Sequence, residues 1–205
     1  MTGHTEDRGT TLIETAIVGL LVFFLFLAIF EFGTVFRDSL TTSDAVADAA
    51  RIGAVVGPGV TAKGTNADFE VAKAVREGLS ALNDEEIDRI VVFKGSGTSD
   101  SALSQVPVAC RNGVSVPSIC NSYDAAGALN AVEGGDETYF QCNMAGDPAC
   151  GWDPATRQDG PTSADIETLG VYVRVQRGGV TGLFADTWTL DRATTLRLEP
   201  GVIEE

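Results

Sequence analysis

The sequence predicts an α+β protein: one long N-terminal helix able to cross a membrane, then a small, mainly antiparallel β-sheet domain with a second helix and a cysteine-braced loop region. Three observations carry this reading. Ala16 to Phe30 is an unbroken apolar run that opens a helical pattern reaching Val56. Leu169, Val171, Val173 and Val175 alternate with Gly170, Tyr172, Arg174 and Gln176, the period of two of a half-buried strand. Four cysteines, Cys110, Cys120, Cys142 and Cys150, fall together in a Gly- and Asp-rich stretch.

Residues 1–9 form a short polar leader in which Arg8 is the one firm positive charge. A secretory signal carries its small-residue cut site after its apolar stretch, whereas Gly9 precedes this one and no such site follows at Phe32 to Thr34. The apolar segment is therefore expected to stay with the mature protein. From Leu12 to Phe36 there are about 25 residues, and roughly 20 suffice to span a hydrocarbon core. Phe23, Phe24 and Phe26 stand among leucines on every side and leave no polar face. Such a helix belongs in a membrane or a large core, and the rest of the chain is too small to wrap it.

The helix is expected to run on past the membrane as one element, residues 10–56, about 70 Å long. Phe36, Leu40, Ser43, Ala47, Ala50 and Ala54 recur at spacings of four and three, which predicts that this stripe packs inward. Asp38, Asp44, Asp48 and Arg51 lie off it. Gly57, Pro58 and Gly59 end the helix.

Residues 57–205 make the domain. A second helix is predicted over Ala67 to Leu82, with the stripe Phe69, Ala72, Val75, Leu79 and Leu82 and a cap at Asn66 or Thr65. Ile90 to Phe93 reads as a strand ended by Gly95. Residues 96–168 read as a loop insertion with one short helix around Ala125 to Val132. Beyond the alternating strand, Gly178-Gly179 fits a hairpin connection. Val180 to Phe184, Thr187 to Leu190 and Thr194 to Leu198 supply further strand material.

The formal net charge of −15 argues against a nucleic-acid partner, which needs a basic surface, and fits a solvated, self-repelling one. An even number of clustered cysteines fits disulfides formed in an oxidising compartment. Of the three pairings, the local one, Cys110 with Cys120 and Cys142 with Cys150, is preferred. Zinc is a weak rival, because no CxxC occurs and the single histidine, His4, lies in the leader. That histidine also leaves no catalytic triad, and Gly95-Ser96-Gly97 is a turn rather than a phosphate loop. Asp147, Asp153 and Asp159 lack the order of a calcium loop. The chain is accordingly read as no enzyme, with no catalytic or metal-ligating residues and no cofactor.

Two acids interrupt the membrane segment. Glu14 is costly to place in lipid and calls for a partner or a task, unless it snorkels to headgroups at the favourable helix N-terminus. Glu31 lies 17 positions further on and, at 100° per residue, on another face. It marks the outer membrane boundary, or contacts another helix or an assembly platform.

Gly9 directly precedes Thr10, and Glu14 is the fifth residue counted from Thr10. This spacing resembles the processing site of type IV pilins and pseudopilins. The resemblance implies that a prepilin peptidase cuts between Gly9 and Thr10 and that the new ammonium pairs with Glu14 of a neighbouring subunit. Thr10 departs from the aromatic residue that major pilins often carry there. RGTTLIETAIV, FEFGTVFRDSL and SDAVADAARIGAVVG resemble the TadE-like family of tight-adherence (Flp, type IVc) pilus systems. TGL at Thr181 to Leu183 and ATTLRLEP ending at Pro200 resemble that family's C-terminal end.

The resemblance implies a single-pass membrane protein, a minor pseudopilin that assists pilus assembly by priming or capping. Its implied partners are the prepilin peptidase, other pilins and the assembly platform. The basic residues do not orient the span, since Arg8 stands against Arg37 and Arg51 on the other side. The cysteines and the resemblance place the C-terminal domain outside the cytoplasm. The alternative reading is a membrane-tethered surface-binding or adhesion protein whose cysteine-rich loops recognise a partner.

Overall fold

A computed structural model describes residues 6–57, 66–97, 100–158 and 166–198, with side chains from residue 10 onward. Most of the leader lies outside these residues, as do Pro58, Gly59, Thr65, Asp159 and Pro200. Helix α1 runs unbroken over Glu6–Val56. It ends at Gly57, whose positive φ of 71° suits a residue without Cβ and whose N–H donates to the Gly53 carbonyl at 3.2 Å. The chain divides into two units. One combines α1 up to Asp38 with Gly178–Trp188, and the other holds the remainder.

The larger unit holds β1 (Ile87–Gly95), β2 (Cys120–Asp124) and all but the joined ends of β3 (Thr168–Gly178) and β4 (Thr187–Arg197), four strands that form one sheet in the order β2-β1-β3-β4. β1 is antiparallel to both neighbours, with Val92 opposite Asn121 on one side and Val171 on the other. The long helix followed by an antiparallel sheet is the architecture expected. One strand differs: Val180 to Phe184 is no strand but a series of bends, while Thr187 to Arg197 is one continuous strand. Gly182, at a φ of 63°, turns the chain in the left-handed region where a strand cannot continue.

Helix α2 covers Ala67–Gly78 and starts where Asn66 accepts the N–H groups of Asp68 (2.8 Å) and Phe69 (3.3 Å). It stops short of Leu82, but Leu79 and Leu82 remain buried in the turn that follows. The Cβ of Ala45 on α1 and the Gly78 backbone approach so closely that a Cβ added to Gly78 would stand 2.6 Å from it.

The inward face of α1 is the main correction. Within this unit the buried residues are Thr42, Ala45, Val46, Ala49, Ala50, Gly53 and Ala54. Of the predicted stripe only Ala50 and Ala54 are buried. Leu40 and Ser43 are exposed and Ala47 is half-buried, and in the other unit Phe36 is exposed as well. The predicted phase starts from the large apolar residues Phe36 and Leu40. On a helical wheel these lie in line with Val18, Val22 and Ile29 of the membrane segment and prolong its apolar surface. Small residues make the true contact: a Cβ on Gly53 would meet Val71 at 2.7 Å and Leu169 at 3.1 Å.

Residues 96–168 are no plain loop insertion. They supply β2, the helices α3 (Ala102–Gln105), α4 (Val108–Arg111) and α5 (Ala125–Gly134), and several 3₁₀ turns. α5 extends the short helix expected there, with Asp124 as its N-cap and Gly135 (φ 66°) as its left-handed C-cap. The disulfide Cys110–Cys120 ties α4 to β2, and Cys142–Cys150 closes a shorter loop. Val106, Cys110 and Cys120 pack with Val91, Phe93 and Tyr172 in one buried cluster. β3 is therefore buried on both faces from Leu169 to Val173, where the alternation suggested one.

Arg157, from the same segment, is buried against Asp68 of α2 at 2.6 Å with both side chains fully covered. Asp68 also accepts from Asn121 (2.8 Å) and the Tyr123 hydroxyl (2.7 Å), and the Arg157 guanidinium stacks 4.3 Å over Trp152. Burial first, and the Asp68 charge second, push the Tyr123 hydroxyl well above its ordinary pKa, so it remains a donor. A segment that supplies a strand and half of a buried ion pair belongs to the core.

Candidate functional site

The smaller unit begins with an apolar helix that nothing covers. None of the most apolar window of Thr10–Val56 is buried, and by length and composition the helix is able to cross a membrane. Leu12, Ile17, Leu20, Phe26 and Ile29 are each at least 60% exposed, which in water would be prohibitive. Thr10 is exposed in this stretch, and Glu14 lies one turn along, exposed on the same side. Gly9 sits inside the helical backbone of α1.

Glu31 is the opposite case, an acid with 0% exposure at the end of that apolar surface. Its carboxylate accepts the Thr181 backbone N–H at 3.0 Å and the Thr181 hydroxyl in a short hydrogen bond, and lies 3.5 Å from the Trp188 indole Nε1–H. The Thr181 hydroxyl in turn accepts the Leu183 N–H at 3.3 Å, which folds the loop tip around the acid. Phe32, next along α1, packs its ring 5.8 Å from Phe184 and 5.6 Å from Trp188 in tilted and edge-on contacts.

Gly179 makes this closure possible. Its N–H donates to the Asp186 carbonyl at 3.0 Å. A Cβ there would stand 2.0 Å from the Ala185 carbonyl oxygen and 2.8 Å from the Glu31 carboxylate, so no other residue fits without moving backbone.

The arrangement is a carboxylate tied off by donors from its own chain, with the chemistry of a lock and no reacting group. Sequence reasoning placed Glu31 at a boundary or against another molecule, and missed its intramolecular partners. The available signal was the TGL segment at Thr181 to Leu183, noted there only as a resemblance. The four cysteines belong to the larger unit and take no part.

No curated protein and no solved structure matches the chain. Residues 9–51, which carry Gly9, Thr10, Glu14, the apolar helix and Glu31, match the model of the TadE-like protein family, the family that the sequence motifs resemble.

Proposed function

We propose that this protein is a membrane-anchored, TadE-like minor pseudopilin that serves the assembly of a tight-adherence pilus, by priming or capping it. The observation that carries the reading is the coincidence of the family match over residues 9–51 with the Gly9, Thr10 and Glu14 spacing in front of an uncovered apolar helix. A prepilin peptidase cutting after Gly9 would leave an ammonium on Thr10. Glu14 is exposed on the helix, so its carboxylate is accessible to the ammonium of a neighbouring subunit. In an apolar setting two such charges are driven to pair. The exposed apolar surface of α1 offers lateral packing to other pilin helices, with small residues such as Gly19 and Gly33 open on it. Disulfides form and persist on the oxidising side of a membrane, and the pairs Cys110–Cys120 and Cys142–Cys150 support a sheet domain that lies outside the cytoplasm.

Mass spectrometry of the membrane-extracted protein tests the processing step. The expected mature chain starts at Thr10 in cells with an active prepilin peptidase and retains residues 1–9 in cells lacking it. Gly9→Leu should keep the leader on. Glu14→Ala should be processed normally yet fail to restore piliation in a strain lacking this protein. A leader retained despite an active peptidase, or full piliation without the protein, would refute the reading.

A further inference from the structure

The loop between β3 and β4 leaves three large apolar side chains uncovered: Val180 is 51% exposed, Leu183 54% and Phe184 43%. Isolated apolar residues on a surface need no explanation, but a contiguous cluster on a loop tip does. The loop is firmly held, with Thr181 bonded to Glu31 and Phe184 lying against Phe32. Its uncovered side chains are thereby fixed at the level of Phe32 on α1. At that level and in the turn before it, α1 is uncovered as well, with Ile29, Phe30 and Phe32 at 61%, 59% and 50% exposure. The loop patch is thus continuous with the apolar surface of the helix in the same unit.

Depth decides what covers it. From Leu12 to Phe30 the helix rises roughly 27 Å at 1.5 Å per residue, close to the ~30 Å of a hydrocarbon core. A span set there puts Phe32, Trp188 and the loop in the headgroup boundary, where aromatic side chains concentrate. We infer that the Val180–Phe184 tip is a second membrane contact, inserting its apolar side chains into the lipid interface beside α1. The tip carries no charged side chain to specify a protein partner, and its neighbour is the lipid-facing helix. The inference rests on α1 being a membrane span. It also gives Glu31 a reason: Thr181 and Trp188 supply at that depth the donors that water would supply outside it.

The test uses the full chain in vesicles of phosphatidylethanolamine and phosphatidylglycerol, with a spin label on Leu183→Cys. Ile17→Cys serves as the reference within the span and Val114→Cys as an exposed reference in the sheet domain. The four native cysteines are paired and leave the new thiol for labelling. Collision rates with oxygen, which partitions into lipid, and with a water-soluble nickel chelate report depth. The expected result is oxygen-dominated relaxation at Ile17, nickel-dominated relaxation at Val114, and an intermediate, oxygen-enriched value at Leu183. Lipid exposure at Ile17 with a Leu183 value equal to that of Val114 overturns the inference and leaves the anchor intact. Low collision with both reagents at Leu183 assigns the tip to a protein contact and also overturns it. Water exposure at Ile17 refutes the span and the inference together.

Discussion

Glu31 and Thr181 are 150 residues apart in sequence and are joined by a backbone N–H to carboxylate hydrogen bond of 3.0 Å. The acid comes at the end of the apolar helix and its donors from the connection between the last two strands. An ionised group without water is tolerated only when donors replace its hydration, and Thr181 alone provides two. Within the smaller unit this ties the apolar helix to the Gly178–Trp188 connection by chemistry that neither segment displays alone.

Removing either side of that lock should release the loop. Glu31→Ala takes away the acceptor for Thr181 and the neighbour of the Trp188 indole. Gly179→Ala drives a Cβ into the Ala185 carbonyl, which is backbone and has no rotamer to escape by. Both variants should show faster amide exchange at Thr181 and Leu183, with the exchange of β1 and β2 unchanged. Equal protection in Glu31→Ala and the parent would mean that the carboxylate does not hold the loop.

The Asp68–Arg157 pair makes a different prediction, about stability. Breaking a buried pair by removing one partner strands the other charge, a loss of about 3–5 kcal/mol. Asp68→Ala should lie in that range, since Asn121 and Tyr123 lose their acceptor too. Asp68→Asn combined with Arg157→Met should recover part of the loss, because neither charge is then left alone. Chemical denaturation of the sheet domain within detergent-solubilised full-length protein measures both. A double variant as unstable as Asp68→Ala would show that the packing of Arg157 over Trp152, and not the charge, is what matters.

What the sequence displayed and what it hid follow one physical line. Periodic, local features were readable: the unbroken apolar run, the Asn66 cap, the alternation from Leu169, and the helix after Asp124. Features that need a partner far along the chain were not. Arg157 reads as a loop residue until Asp68 is beside it, and Glu31 reads as a boundary charge until Thr181 is. The inward face of α1 failed for a related reason. Periodicity gives a phase only if the apolar residues all serve one purpose. Here Phe36 and Leu40 extend the uncovered apolar surface, whereas the core contact uses Ala45, Ala49 and Gly53. In the middle segment, Gly, Asp and Pro masked a strand whose residues, Asn121 and Ser122 among them, are polar because they hydrogen-bond inside the core.

The two disulfides should differ in their response to reductant. Cys110 and Cys120 are both fully buried in the cluster with Phe93 and Tyr172, whereas Cys142 is exposed. Attack by a thiolate requires access to a sulfur. Mild reduction followed by alkylation and peptide mass spectrometry should therefore label Cys142 and Cys150 first, with the domain still folded. Opening Cys110–Cys120 should coincide with unfolding. Each closed loop is short, so its loss costs about 2–3 kcal/mol in the chain-entropy account. Early labelling of Cys110 in the folded protein would contradict the packing described.

Acid should weaken the sheet through Asp191 on β4. It accepts from Arg174 Nε at 2.9 Å and from the Tyr172 hydroxyl at 2.8 Å. Burial works against its charge, but those hydrogen bonds and the charges of Arg174 and Arg111 outweigh burial and hold the carboxyl below its ordinary 3.8. The folded value lies under the unfolded one, so the stabilisation is complete above the ordinary carboxylate range. It is lost as pH falls through the lowered value, where the folded carboxyl takes up its proton. Asp191→Asn removes the titrating group and keeps a shape that still accepts from Arg174. It should be less stable than the parent near neutral pH, and the gap between their denaturation midpoints should close as the pH is taken below about 4. A gap that stays constant across that range would show that Asp191 contributes by shape alone and that its charge does not stabilise the β3–β4 pair.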